Sequence, residues 1–332
     1  MTPSTIPANF WGRYPAALHP TRSPTPLGGA GGLSGSELWR VEARAGPLMV
    51  RAWPKNGPTR ATLDQIHRRL IQARRIDYLA VPVPGLDGST WVEVEGRFWE
   101  MTPFLPGLAD LGRPPTRSHL ASMCQTLAEF HGEFAAQTVS GRSPGLIARS
   151  RELNRLIAGE FAEFQSALDR SRDDPRQPTA LRWLHRARQV APRLAAPLSQ
   201  AAERTLALQP CIRDVRPDHF LFEGDTLTGL VDFGAMGVDS VATDLARLLG
   251  ETVGRVESDR KFAVEAYHGV RPIGDDDRAM IAEFEAANAL LGGARWVRWH
   301  FVEHRRFADP DAVVQGLNRT LARLVEHWGL GD

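Results

Sequence analysis

The chain has 332 residues, of which 42% are hydrophobic and 24% charged, and its net charge is +1. That is the length of about two domains at ordinary globular composition, and the near-neutral balance excludes the broad positive field of a nucleic-acid or membrane-surface binder. Two cysteines, Cys124 and Cys211, make no disulfide framework. With a proline-rich start and no apolar run of roughly 18 residues, the sequence predicts neither a secretory leader nor a membrane span, and a cytoplasmic location is expected.

Residues 1–24, with Pro3, Pro7, Pro15 and Pro20, read as an irregular arm. Gly28 to Ser36 is too rich in glycine for a helix, and glycine opens backbone torsions closed to other residues. Leu38–Val41, a turn at Ala45-Gly46-Pro47 and then Leu48–Trp53 alternate as a hairpin of strands. Ala61–Arg75 repeats apolar residues at helical spacing through Leu63, Ile66, Leu70 and Ile71, and Val81-Pro82-Val83-Pro84 stops it. Trp91–Val94 and Arg97–Met101, turning at Gly96, predict another hairpin. A lobe of strands with one main helix is therefore expected over 25–105.

The remainder, 106–332, reads as mainly helical, with helices over His119–Phe134, Ile147–Leu168, Ala180–Val190, Ala279–Val302 and Ala312–Trp328. The exception is 211–234, where Phe220–Phe222, a Gly224-Asp225 turn and Leu227–Val231 predict a short hairpin among helices. Asp214 precedes it and Asp232 follows it. The ends of an antiparallel hairpin lie side by side, so this pattern predicts Asp214, His219 and Asp232 within a few ångströms of one another. A carboxylate to accept a hydroxyl proton and oxygen ligands for a metal on phosphates are the equipment of phosphoryl transfer.

These residues carry a resemblance. Ile212-Arg213-Asp214-Val215-Arg216-Pro217-Asp218-His219 followed by Val231-Asp232-Phe233-Gly234 resembles the signature of the aminoglycoside phosphotransferase and choline kinase-like family, His-Gly-Asp-Leu-His-x-x-Asn, a hairpin, then Ile-Asp-Phe/Trp-Gly. Asp239 with Asp244-Leu245-Ala246, Leu127 to His131, and Trp99 to Gly107 resemble further family elements, over residues 25 to about 305. The resemblance implies an α+β fold of the two-lobed protein-kinase-like class, with a small antiparallel-sheet N-lobe carrying one main helix and a larger, mostly helical C-lobe. It implies a kinase that passes the γ-phosphoryl group of ATP or GTP, with Mg2+ or alternatively Mn2+, to a hydroxyl of an unidentified soluble acceptor. Asp214 would be the catalytic base. Asp232 and His219 would face the metal, and Arg51 would take the place of the phosphate-binding lysine. Backbone groups near Gly31, Gly32 and Ser34 would cover the phosphates, and those of Glu100, Met101 and Thr102 would hold the base.

Three positions depart from the family pattern. Arginine stands for lysine at 51, isoleucine for the first histidine at 212, and histidine for asparagine at 219. Arginine keeps the charge and clamps phosphate bidentately. Imidazole suits softer metals than magnesium, so His219 implies a manganese-tolerant site, a single firm metal, a phosphate contact or no ligand at all. Arg213 and Arg216 bracket Asp214, where they would favour its ionised form, bind an anionic group or form a surface salt bridge. The three departures together also fit a second reading, a pseudokinase that senses nucleotide or scaffolds.

Overall fold

The computed structural model describes residues 5–28, 35–109, 115–307, 309 and 311–330. The chain opens with a short helix α1 (Ala8–Trp11), then β1 (Thr25–Pro26), β2 (Glu37–Ala43), β3 (Gly46–Ala52), α2 (Arg60–Gln72), β4 (Trp91–Val94) and β5 (Arg97–Pro103). The strands form one antiparallel sheet ordered β1-β2-β3-β5-β4. Alternation puts Trp39, Val41, Val50, Trp99 and Met101 into its core. Over the described part of the expected irregular arm the chain makes only short helical turns at Ala8–Trp11 and Ala16–Leu18, and Phe10 and Tyr14 are fully or almost fully buried in that same core, where their rings bury large apolar area. Helix α2 starts where the Thr59 hydroxyl accepts the Thr62 amide.

Next come α3 (Arg117–Gly132), β6 (Val139–Arg142), α4 (Pro144–Arg155), α5 (Phe161–Arg170), α6 (Gln177–Glu203), β7 (Thr205–Cys211), β8 (Phe220–Glu223), β9 (Thr226–Leu230), β10 (Gly237–Asp239), α7 (Ala242–Thr252), α8 (Glu257–His268), α9 (Asp275–Val297) and α10 (Ala312–Trp328). The single helix expected over 147–168 is two helices joined by a π-helical turn at Leu156–Glu160, around Gly159. Helix α6 runs past its expected end through Pro192 and Pro197. An interior proline costs about 3 kcal/mol; the buried row Ala187, Val190, Ala191, Leu194 and Leu198 outweighs it. Strands β10, β7 and β6 form a small sheet the sequence did not predict. No helix among the described residues is long and apolar enough to cross a membrane.

The chain divides into two units. One holds Met1–Leu111 together with Asp218–Gly234; the other holds Gly112–Pro217 and Ala235–Asp332. The expected boundary is thereby changed: the β8–β9 hairpin belongs with the sheet unit, not with the helices that flank it in sequence. Its backbone explains why. The Leu230 amide donates to the Tyr78 carbonyl at 2.8 Å, and Leu108 and Phe222 exchange bonds at 2.9 and 3.0 Å. A two-stranded hairpin alone is marginal, and these ties complete it.

Candidate active site

In the sheet unit, Arg51 and Glu100 are register partners on β3 and β5. Their side chains share one side of the sheet, and Arg51 Nε lies 3.7 Å from Glu100 Oε1. The other oxygen of Glu100 accepts from the Trp53 indole at 3.0 Å and bonds His67 Nε2 of α2 at 2.9 Å. His67 Nδ1 meets the Thr90 hydroxyl at 2.7 Å, which fixes the ring. Burial alone would raise the Glu100 carboxyl. The His67 bond, the Arg51 charge and the Trp53 indole outweigh it and hold that carboxyl below its ordinary value.

The far end of Arg51 lies over the Trp53 ring and 3.6 Å from Asp232 Oδ1. The other oxygen of Asp232 lies 3.6 Å from His219 Nε2. Asp232 is in the left-handed region at φ 64°, a conformation aspartate tolerates better than most residues, and its side chain is 47% exposed. Arg51 Nε is buried and finds no hydrogen-bond acceptor among the described residues. A cleft of about 370 Å³ opens beside these groups, with Met49, Ile66, Leu70 and Pro82 as its apolar side and Arg51 and Asp232 as its polar side. An unmet guanidinium donor and a half-exposed carboxylate are what a phosphate and its cation require.

Glu100 sits in the middle of the sheet. Its main chain lies between β3 and β4, and its side chain faces Arg51. The Met101 carbonyl is taken by the Val83 amide at 2.8 Å, and Thr102 lines the cleft. Gly31, Gly32 and Ser34 lie outside the described residues.

In the helical unit, Asp214 follows a loop held from behind. Asp244, fully buried on α7, accepts the amides of Ile212 and Arg213 at 2.7 and 2.6 Å. His131 Nε2 donates to it at 3.1 Å, and the Tyr267 hydroxyl meets His131 Nδ1 at 2.8 Å. Burial pulls the His131 imidazole below its ordinary value despite Asp244, so the ring is neutral. With its proton on Nε2, it accepts from Tyr267 and donates to Asp244. Asp244 therefore braces the loop. Arg213, at φ 71°, is the strained residue of that loop. Its side chain lies against Gly237, where a Cβ would come within 2.5 Å of the guanidinium, and approaches Asp239 at 3.8 Å. Burial raises the Asp239 carboxyl, with the Ser143 hydroxyl, the Ser240 amide and nearby arginines offsetting part of it.

Asp214 meets a cation that the sequence reading missed. Arg247 Nε of α7 lies 3.2 Å from Asp214 Oδ1, and its Nη1 is 2.8 Å from Glu251. Arg247 falls three residues after Asp244 within an apolar helical stretch, and only the folded chain returns it to the loop. His67, Trp53 and His131 were missed as polar partners for the same reason. Cys211 is a buried free thiol, and His300 pairs with Asp174 at 2.7 Å rather than joining a metal cluster.

Known proteins resemble this chain in sequence and in fold. The model of the family described as "Phosphotransferase enzyme family" matches residues 28–284. A homoserine kinase of Xanthobacter autotrophicus is 27% identical over 253 residues, covering 72% of this chain and 70% of that protein. A homoserine kinase of Rhodospirillum rubrum is 30% identical over 228 residues, covering 64% of this chain and 60% of that protein, so the chain spans less than two thirds of this relative. An aminoglycoside phosphotransferase structure from Alicyclobacillus acidocaldarius is alike in fold, with a TM-score of 0.63 at 18% identity over 99% of this chain and 95% of that one.

Proposed function

The chain belongs to the phosphotransferase enzyme family, and from that premise we propose that it is a small-molecule kinase that moves the γ-phosphoryl group of ATP to the hydroxyl of a small, soluble acceptor. Phosphotransfer to a hydroxyl acceptor is common ground with its homoserine kinase relatives. The observation that carries the finer reading is the Arg51–Asp232 pair, at 3.6 Å, beside an apolar cleft. Arg51 clamps donor phosphates and keeps the charge of the lysine it replaces. Glu100, anchored by His67 and Trp53, aims it. Asp232 is the oxygen donor for a divalent cation, and His219 lies behind it as a brace. Such a cation, bound with the nucleotide, neutralises phosphate charge in the transition state.

Asp214 accepts the proton of the acceptor hydroxyl. The acceptor oxygen then bonds to the γ-phosphorus as the bond from that phosphorus to the bridging oxygen breaks, and ADP carries away the electron pair. Arg247 lies beside Asp214 at 3.2 Å, and the Asp244 carboxylate holds the loop amides so that no reorganisation is needed at the moment of transfer. The scaffold reading loses its motive in part, since the exchange of lysine for arginine at 51 retains the cation.

The test is ADP release with homoserine and a panel of small alcohols. Asp214→Asn is expected to lower kcat by about 10²–10⁴-fold with the fold intact. Undiminished turnover in that variant would sink the mechanism.

A further inference from the structure

The residue directly before Asp214 is held in the left-handed region, with Arg213 at φ 71°. Glycine is the residue that torsion favours, and an arginine there carries strain that the surroundings must hold. The strain falls in a segment already fixed along one edge. Asp244 accepts the amides of Ile212 and Arg213 at 2.7 and 2.6 Å, and that brace ends at Arg213. Strand β10 runs beside the approach to the loop, with Gly237 the register partner of Cys211 and Asp239 that of Gln209.

The side chain of Arg213 is held on β10. A Cβ on Gly237 would come within 2.5 Å of its Nη1 and 3.0 Å of its Cδ, so the absence of a side chain there is what lets the arm lie against the strand. Beyond Gly237 the guanidinium approaches Asp239, with Nε 3.8 Å from Oδ2. Asp239 is fully buried. Its Oδ1 accepts the Ser143 hydroxyl and the Ser240 amide, while Oδ2 has no hydrogen bond among the described residues. Arg213 and Arg149 supply the positive charge such an oxygen needs. The four bonds of a Cα keep nearly fixed angles to one another. With the Arg213 amide held by Asp244 and its Cβ held through the arm on Gly237, the direction of its carbonyl carbon is set, and with it the start of Asp214. A glycine at 213 would relieve the strain and lose the second hold.

We propose that Arg213 is a positioning residue of the transfer reaction, its side chain on Gly237 and Asp239 holding the backbone that presents the Asp214 carboxylate to the acceptor hydroxyl. The proposal deepens the kinase reading and rests on it for the role of Asp214. Arg213 acts through the backbone of the base and not on the reacting atoms. Local strain is the cost of a base held in one direction, and small errors in that direction are expensive in rate.

The test compares Arg213→Gly, Arg213→Lys and Gly237→Ala with the parent in the full chain. Three readouts are taken: kcat and KM in the ADP-release assay with homoserine and the alcohol panel, Tm, and amide hydrogen exchange over residues 212–215 without ligand. Arg213→Gly is expected to lower kcat by about 10–10²-fold with KM for ATP within about twofold. Its Tm is expected to stay or rise, because the strain is gone. Exchange over 212–215 is expected to quicken by about tenfold or more. The approach to Asp239 is single and long, so Arg213→Lys is expected to keep kcat within about fivefold of the parent. Gly237→Ala displaces the arm without touching residue 213 and is expected to show the same kcat loss. The double variant is expected to lose no more than Arg213→Gly alone, since both changes remove one contact. A lowered Tm with parental kcat per folded molecule would make the arginine a structural contact only and overturn the proposal. So would multiplied losses in the double variant, or parental exchange in Arg213→Gly. If Gly237→Ala does not fold, the two variants at 213 decide. A parent that releases no ADP with any acceptor sinks the kinase reading instead, and the exchange measurement then decides whether Arg213 holds the loop.

Discussion

Arg51 is the cation of the proposed site in the sheet unit, and its partner is set by tertiary packing. A cation on β3 needs a nearby carboxylate to hold it without capturing it. Glu100 does this at 3.7 Å while His67 and Trp53 occupy its other oxygen. Glu100→Gln keeps the shape and removes the charge. It is expected to raise KM for ATP more than it lowers kcat, and to destabilise the fold by about 1–3 kcal/mol at neutral pH. The sign of the pH dependence follows from the lowered carboxyl. The stabilisation is fully present above the unfolded value, near 4.5, and is lost as pH falls through the lower folded value. Urea unfolding between about pH 3 and 7 should therefore show a flatter acid limb in Glu100→Gln than in the parent. Asp232 and Asp214 were legible as candidates because residue type and order around a hairpin survive in sequence, and Arg51 through the family resemblance alone. The contacts His67–Glu100, Trp53–Glu100, Arg247–Asp214 and His131–Asp244 were not, because each joins residues 33 or more positions apart in the chain.

At the scale of elements, packing overrides local propensity in α6 and sets the closest helix contacts. The expected stop at Val190 fails because the buried face of α6 continues to Ala201 and Ala202 across both prolines. Helix α10 meets α9 at Gly316, where a Cβ would come within 2.0 Å of the Trp296 indole. That indole is itself packed against Trp299 and Phe307 at 5.5 and 5.6 Å, so it has little room to retreat. Gly316→Ala is expected to destabilise by about 1–3 kcal/mol, although alanine is the better helix former, and a lowered Tm with unchanged helical circular dichroism would show it. A gain in Tm would mean that the helices separate more easily than this packing implies.

At the scale of the whole molecule, the working quantity is the coupling of ligand to stability. A ligand bound only by the native state adds about 2.7 kcal/mol at a hundredfold excess over its dissociation constant. ATP with magnesium is expected to raise Tm, and Asp232→Ala to remove the metal-dependent part of that shift. Manganese exceeding magnesium in the parent would assign His219 a place at the metal. No shift with any nucleotide would turn the search from substrates to protein partners.

The sequence by itself determined the first two hairpins, helix α2, helix α10 and the order of the two aspartates around the β8–β9 hairpin, while the fold class came with the family resemblance. Alternation, helical spacing and turn residues are local, and a motif keeps its order along the chain. Only the tertiary structure decided that Phe10 and Tyr14 join the core, that the hairpin belongs to the sheet unit, and that Asp244 with His131 braces the loop before Asp214. Only it placed Arg247, Glu251 and Arg323 together. Such contacts unite residues far apart in sequence, and no local period records which buried charge will meet which.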